Sequence, residues 1–228
     1  MAGRTCGCSG GVITVMAVIA RWLLALAAIL GLTVPAWAHP HVWVAVRSQI
    51  VFDATGRVTH IRHSWTFDEM YSAFALQGVG GKGRDLQKDL NELATVNVTQ
   101  LAESQFFTFV RAGGRYQEYG TPRNATITVD EKKHATLHFE VPLKTPASAN
   151  KAFVLQVFDP GYFVAFDFEK QDPVTMQGAP KGCSLKLVTP TPLSEADAQK
   201  LQQVAGSDVS PGANFGAKLS TRVFVACP

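Results

Sequence analysis

The stretch that decides the fold is "VWVAVRSQIVFDATGRVTHIRHSW", residues 42–65. Val42 to Phe52 is rich in Val and Ile and alternates apolar with polar, the period of a half-buried strand. Asp53-Ala54-Thr55-Gly56 is turn chemistry, and Arg57 to Trp65 returns as a second strand. After Trp65 the period changes. Phe67, Met70, Tyr71 and Phe74 follow helical spacing. Thr66 to Glu69 fits a capping box, with Thr66 as N-cap and Glu69 reaching back. Gly78 to Asp85, "GVGGKGRD", breaks that helix. Leu86, Leu90, Leu93, Asn97 and Leu101 then outline one face of a second helix.

Downstream of this helical pair the chain is strand-rich. Phe106 to Ala112 and Arg115 to Thr121 flank Gly113-Gly114, a hairpin signal. Further strands are expected at Ala125 to Val129, Ala135 to Val141, Lys151 to Phe158 and Tyr162 to Phe168, the last two joined by Asp159-Pro160-Gly161. Cys183 to Val188 continues the series. Ser194 caps a short helix to about Val204, "AGSDVSPGANFG" is a loop, and Thr221 to Cys227 closes as a strand. Strands in short-turn succession favour antiparallel pairing. The expected fold class is α+β and β-rich: an antiparallel β-sandwich-like body with a two-helix insertion over 66–104 and a short C-terminal helix. Trp43, Trp65, Phe67 and Phe74 read as core residues.

Upstream, residues 11–37 are almost wholly apolar, interrupted by Arg21, and Ala36-Trp37-Ala38 fits the small-x-small pattern of signal peptidase. Residues 1–38 are therefore read as a signal peptide, with Met16 as an alternative start, and 39–228 as a single periplasmic domain. The 13-residue run after Arg21 is short for a membrane span of about 20 residues. An uncleaved anchor is the rival reading, and the processed chain is expected not to span the membrane. Cys6 and Cys8 fall in the leader, leaving Cys183 and Cys227 as an even pair in an oxidising compartment. Their disulfide would close a loop of about 45 residues, worth on the order of 4 kcal/mol in the chain-entropy treatment.

The composition bounds function. Hydrophobic residues make up 46% and charged residues 17%, which is a folding sequence. The net charge of +3 falls to +1 once Arg4 and Arg21 are removed, so no nucleic-acid partner is expected. Residues 39–228 contain no G-x-S-x-G, phosphate loop or H-E-x-x-H, and the chain is read as a non-enzyme.

What chemistry there is lies in the histidines. Cleavage after Ala38 would give His39 a free α-amine, which chelates together with its imidazole. His41 projects to the same side of an extended segment. Pro40 has no N–H to lose, so the square-planar amide chelate of copper and nickel is blocked. Side-chain and amine ligands remain, suited to zinc, nickel, cobalt or copper. If the hairpin turn centres on residues 54 and 55, position 41 faces 68, and a bulge moves its partner to 69. Asp68 or Glu69 would then approach His41. Register decides whether His60 or His63 joins them, with His63 preferred. Glu69 and Asp68 are also explained by helix capping. His134 and His138, four apart on a strand, lie roughly 13 Å apart and read as an exposed face.

"AHPHVWV" followed by "IRHSWTFDEMYSAFALQG" resembles domain-of-unknown-function family one thousand and seven, bacterial periplasmic proteins often labelled as periplasmic components of ABC-type transport systems. "NVTQLAESQFFTF", "FDPGYFVAFDFE" and "GAPKGCSLKLVTP" share the resemblance, which covers most of residues 38–190. Such proteins occur beside nickel/cobalt-type permeases. The resemblance implies a role in transition-metal transport, with an inner-membrane permease as partner and nickel, cobalt or zinc as the metal. His39, His41, His63 and Asp68 stand in matching motifs and form the expected ligand set. Many relatives carry an acidic, EF-hand-like D-x-D-G-D-G stretch between the helices. Here Gly81 and Gly83 replace the acids beside Lys82 and Arg84, so no calcium site is expected. Two rivals stand beside the metal accessory: a copper protein braced by His39, His41 and His63 with redox activity, and a non-metal substrate-binding or protein-binding component.

Overall fold

The computed structural model describes residues 40–204 and 207–228. The signal-peptide reading and His39 fall outside the described residues. Strands β1 (Val42–Phe52) and β2 (Arg57–Phe67) form the expected hairpin. Helices α1 (Glu69–Ala75) and α2 (Leu86–Leu101) follow, then a 3-10 turn over Ala102–Phe107. The body continues through β3 (Thr108–Ala112), β4 (Arg115–Tyr116), β5 (Arg123–Val129), β6 (Ala135–Ser148), β7 (Phe153–Val157), β8 (Val164–Phe168), β9 (Val174–Gln177) and β10 (Ser184–Val188). Helices α3 (Glu195–Gln203) and α4 (Phe215–Leu219) precede the last strand, β11 (Arg222–Ala226).

Two sheets result. One runs β5-β6-β2-β1-β8, with β9 also on β1; the other runs β10-β11-β7-β3-β4. The inward side chains of β1 and β2, among them Val44, Val46, Ile50, Ile61 and Trp65, share one core with Val110, Phe153, Leu155, Val223 and Val225 of the second sheet. Helix α2 closes the core by burying Leu90, Ala94 and Val98, spaced four apart. The expected helix face is corrected here: Leu86 is exposed, while the small Ala94 and the β-branched Val98 are inside. The β-rich α+β class, the two-helix insertion and the short helix capped by Ser194 all stand.

Pairing is not antiparallel throughout. Strands β8 and β9 both run parallel to β1. The Asp159-Pro160-Gly161 turn therefore does not make a hairpin; it carries the chain from β7 in one sheet to β8 in the other. The Asp159 carboxylate fixes this crossover by accepting the N–H groups of Gly161, Phe163 and Val164 at 2.8–3.1 Å. Gly113-Gly114 does make its hairpin, with both residues at positive φ as a primed turn requires. The strand expected from Phe106 begins two residues later. Gln105, Phe106 and Phe107 take left-handed backbone instead, which buries Phe106 edge-on against Tyr119.

Cys183 and Cys227 are bonded, with Cα atoms 4.1 Å apart. The bridge sits at the adjoining ends of β10 and β11 and ties the C-terminus to the second sheet.

Candidate functional site

The start of β1 organises one end of the first sheet. The His41 N–H donates to the Phe163 carbonyl at 2.8 Å, and the two rings lie 5.8 Å apart. Two residues on, Trp43 and Asp68 exchange bonds. The Asp68 N–H donates to the Trp43 carbonyl at 3.0 Å, and the Trp43 N–H donates to Asp68 Oδ2 at 2.9 Å. Asp68 Oδ1 accepts the Tyr71 N–H at 2.9 Å, so Asp68 is the N-cap of α1. The capping box expected from Thr66 is overruled because β2 runs on to Phe67. Thr66 pairs with Thr136 across the β2–β6 ladder, hydroxyl to hydroxyl at 2.9 Å. Glu69 stays exposed in the first turn.

The observed register places Asp68 opposite Trp43, not opposite His41. A bulge at the turn end of the hairpin pairs Val51 with His60 but Phe52 with Val58. Alternation then sends Val44, Val46 and Ser48 inward and Trp43, Ala45 and Arg47 outward. His63, opposite Ser48, points inward. The histidine that shares the outward parity of His41 is His60, opposite Val51.

His63 is consequently not beside His41. It lies seven positions along β1, roughly 23 Å at strand rise, and it is fully buried. Its ring sits between Trp65 and Phe139, with centroids 5.5 and 5.1 Å away. Nδ1 lies 2.9 Å from Ser48 Oγ and Nε2 lies 3.1 Å from Thr108 Oγ1. Burial drives its pKa down to about 3, so the ring is neutral. This is a satisfied core histidine joining the two sheets, and the ligand assignment made from sequence is corrected.

Beyond Trp43 the outer surface opens into a cleft of about 700 Å³, lined by Trp43, Asp68, Asp130, Glu131, Asp167 and Glu169 together with Lys132 and His134. Asp130 accepts the His134 backbone N–H at 2.8 Å, and its other oxygen lies 3.2 Å from His134 Nδ1. The His134 bonds, led by the one from its backbone, hold the Asp130 carboxyl below the usual carboxylate range. Among the described residues, the side chains of Glu131, Asp167 and Glu169 make no hydrogen bond or ion pair. Sequence reading missed this cleft because its acids come from three segments distant in the chain, brought together by the parallel pairing of β8 with β1.

Farther along the same outer face the polar residues are tied to one another. His138 lies 2.9 Å from both Ser64 Oγ and Thr128 Oγ1. Glu140 is buried and receives Arg62 at 2.7 Å and Arg123 at 2.9 Å. Burial works to raise the Glu140 pKa, but the arginine hydrogen bonds outweigh it and the carboxyl stays low. His60 Nε2 is buried 3.7 Å from Glu140 Oε2 and finds no hydrogen-bond partner among the described residues.

Taken as a donor set, the described residues do not assemble a metal centre by themselves. No group of three or more His, Cys, Asp or Glu side chains among them could hold an ion. His41 and Asp68 occupy one end of the sheet, and His63 does not. No helix among the described residues is long and apolar enough to cross a membrane.

Two comparisons bear on kinship. An uncharacterized protein of Haemophilus influenzae (strain ATCC 51907 / DSM 11121 / KW20 / Rd) is 22% identical over 193 residues, covering 83% of this chain and 91% of that protein. Residues 24–227 match the family described as "Protein of unknown function (DUF1007)", and the chain belongs to that family.

Proposed function

We propose that the processed chain is a periplasmic accessory protein that binds a divalent transition metal (nickel, cobalt or zinc) and exchanges it with an inner-membrane permease. The observation that carries this reading is the position of His41. It stands immediately before β1, two residues from Trp43, whose backbone N–H is bonded by Asp68 at the rim of the acidic cleft; Asp167 and Glu169 lie farther along the sheet, beside Ala45 and Val46. With cleavage after Ala38, the amine and imidazole of His39 and the imidazole of His41 supply the nitrogens, and the carboxylates lower the local potential for a cation. The disulfide fits the oxidising compartment this reading requires.

The copper-enzyme alternative needs a third histidine, and its candidate, His63, is locked in the core, which counts against it. The metal reading is tested by N-terminal sequencing of the exported protein and by titrating it with zinc and nickel beside a His39→Ala, His41→Ala variant. A mature His39 and at least a tenfold loss of affinity in the variant are expected. Equal affinity and stoichiometry would remove the site and leave a non-metal binding component.

A further inference from the structure

We infer that the sheet end bearing Trp43 is a docking surface for a basic, amphipathic segment of a partner protein. Three large apolar side chains stand in solvent there: Trp43 is 46% exposed, Met70 69% and Phe74 68%. Sequence pattern assigned Trp43 and Phe74 to the core, and both are outside it. Met70 and Phe74 are four apart on α1 and share one helix face. The opposite face holds α1 in place, where the buried Ser72 hydroxyl accepts the Ala135 N–H at 3.0 Å. Trp43 and Asp68 both line the cleft, and Asp68, which takes the Trp43 backbone N–H, is the cap of α1, so Met70 follows two residues after a residue of the cleft wall. Single exposed apolar residues are ordinary; three large ones grouped near one charged cleft point to an interaction site.

Charge selects the occupant. Five carboxylates line the cleft against Lys132 alone, in a chain whose net charge is +3. Asp68 and Asp130 are engaged by backbone N–H groups, but Glu131, Asp167 and Glu169 are open to a cation. Anionic lipid headgroups would be repelled here, as would the same acidic face of a second copy of this chain. A segment with Lys or Arg on one side and apolar residues on the other satisfies both features. Its apolar side would lie on Met70 and Phe74, and a guanidinium would suit the Trp43 ring.

The surface does not depend on a metal, so the test is run with chelator present and its failure leaves the metal reading standing. The probe is a fluorescein-labelled peptide of about 18 residues with Leu and Lys at helical spacing, followed by its fluorescence anisotropy. The control peptide carries Glu in place of Lys. Binding of the Lys peptide alone is expected, weakened about tenfold by Met70→Ser with Phe74→Ser and similarly by Asp167→Asn with Glu169→Gln. Zinc affinity should be unchanged in the Met70/Phe74 variant. Equal binding of both peptides, unaltered binding in both variants, tighter binding to phosphatidylglycerol vesicles, or self-association through this face would each overturn the inference.

Discussion

Ser48 Oγ lies 2.9 Å from His63 Nδ1 in the core, on the strand facing it, while Thr108 of the other sheet meets Nε2. Thr108 already donates its hydroxyl proton to the Phe106 carbonyl at 2.7 Å, so it can only accept from the ring. Nε2 therefore carries the hydrogen and Nδ1 accepts from Ser48.

That arrangement makes stability depend on pH. The folded pKa of about 3 lies below the ordinary value of 6.5, so between these values the unfolded chain binds a proton and the folded chain does not. The contribution is complete above 6.5 and is lost as pH falls, at about 1.4 kcal/mol per pH unit within the window. Urea denaturation at pH 7, 5 and 4 should show it, and His63→Phe should flatten it. A variant that kept the full slope would place the titration elsewhere.

Removing the acceptor is a separate test. Thr108→Val leaves the Nε2–H buried and unpaired, at a cost of about 1–3 kcal/mol. Ser48→Ala should cost similarly, because Nδ1 loses its donor. Both are read from the denaturation midpoint at pH 7.

The hairpin and the two-helix insertion were legible because alternation over residues 42–65 and helical spacing after it are local signals. The disulfide was legible from compartment and parity. What was not legible is non-local. The bulge between Val58 and His60 moved Asp68 opposite Trp43 and turned His63 inward, and nothing in the tripeptide around Thr59 announces it. Trp43 and Phe74 look like core residues by type, yet the sheet end and α1 hold them outside. The acidic cleft depends on parallel pairing between β1 and β8, more than a hundred residues apart in the chain.

On the outer face, Glu140 carries two arginines. Glu140→Gln should lower stability by about 1–3 kcal/mol, the range for losing a hydrogen-bonded buried carboxylate whose partners are themselves half exposed. The folded Glu140 pKa is lowered, so its contribution is present above the ordinary value of 4.5 and is lost as pH falls through the folded value. The wild type should therefore lose more stability than the variant on acidification below about pH 4.5.

Reduction of Cys183–Cys227 frees β11 from its covalent tie to the start of β10. A Cys183→Ser, Cys227→Ser variant should be less stable by about 2–4 kcal/mol. Dithiothreitol should lower the wild-type melting temperature and leave the variant's unchanged, and a wild type insensitive to reductant would show that the bond contributes nothing.

Asp68 separates structure from ligand chemistry. Its carboxylate caps α1 through Tyr71 and holds Trp43, so Asp68→Ala should cost about 1–2 kcal/mol and fray the helix. Asn is an equally good cap, with an oxygen to accept one of the two N–H groups, but it carries no charge. Asp68→Asn should therefore keep most of the stability while weakening zinc binding several-fold if the carboxylate acts on a bound ion. Matched affinities for wild type and Asp68→Asn would confine Asp68 to its structural role and leave the amino-terminal histidines as the whole of the site.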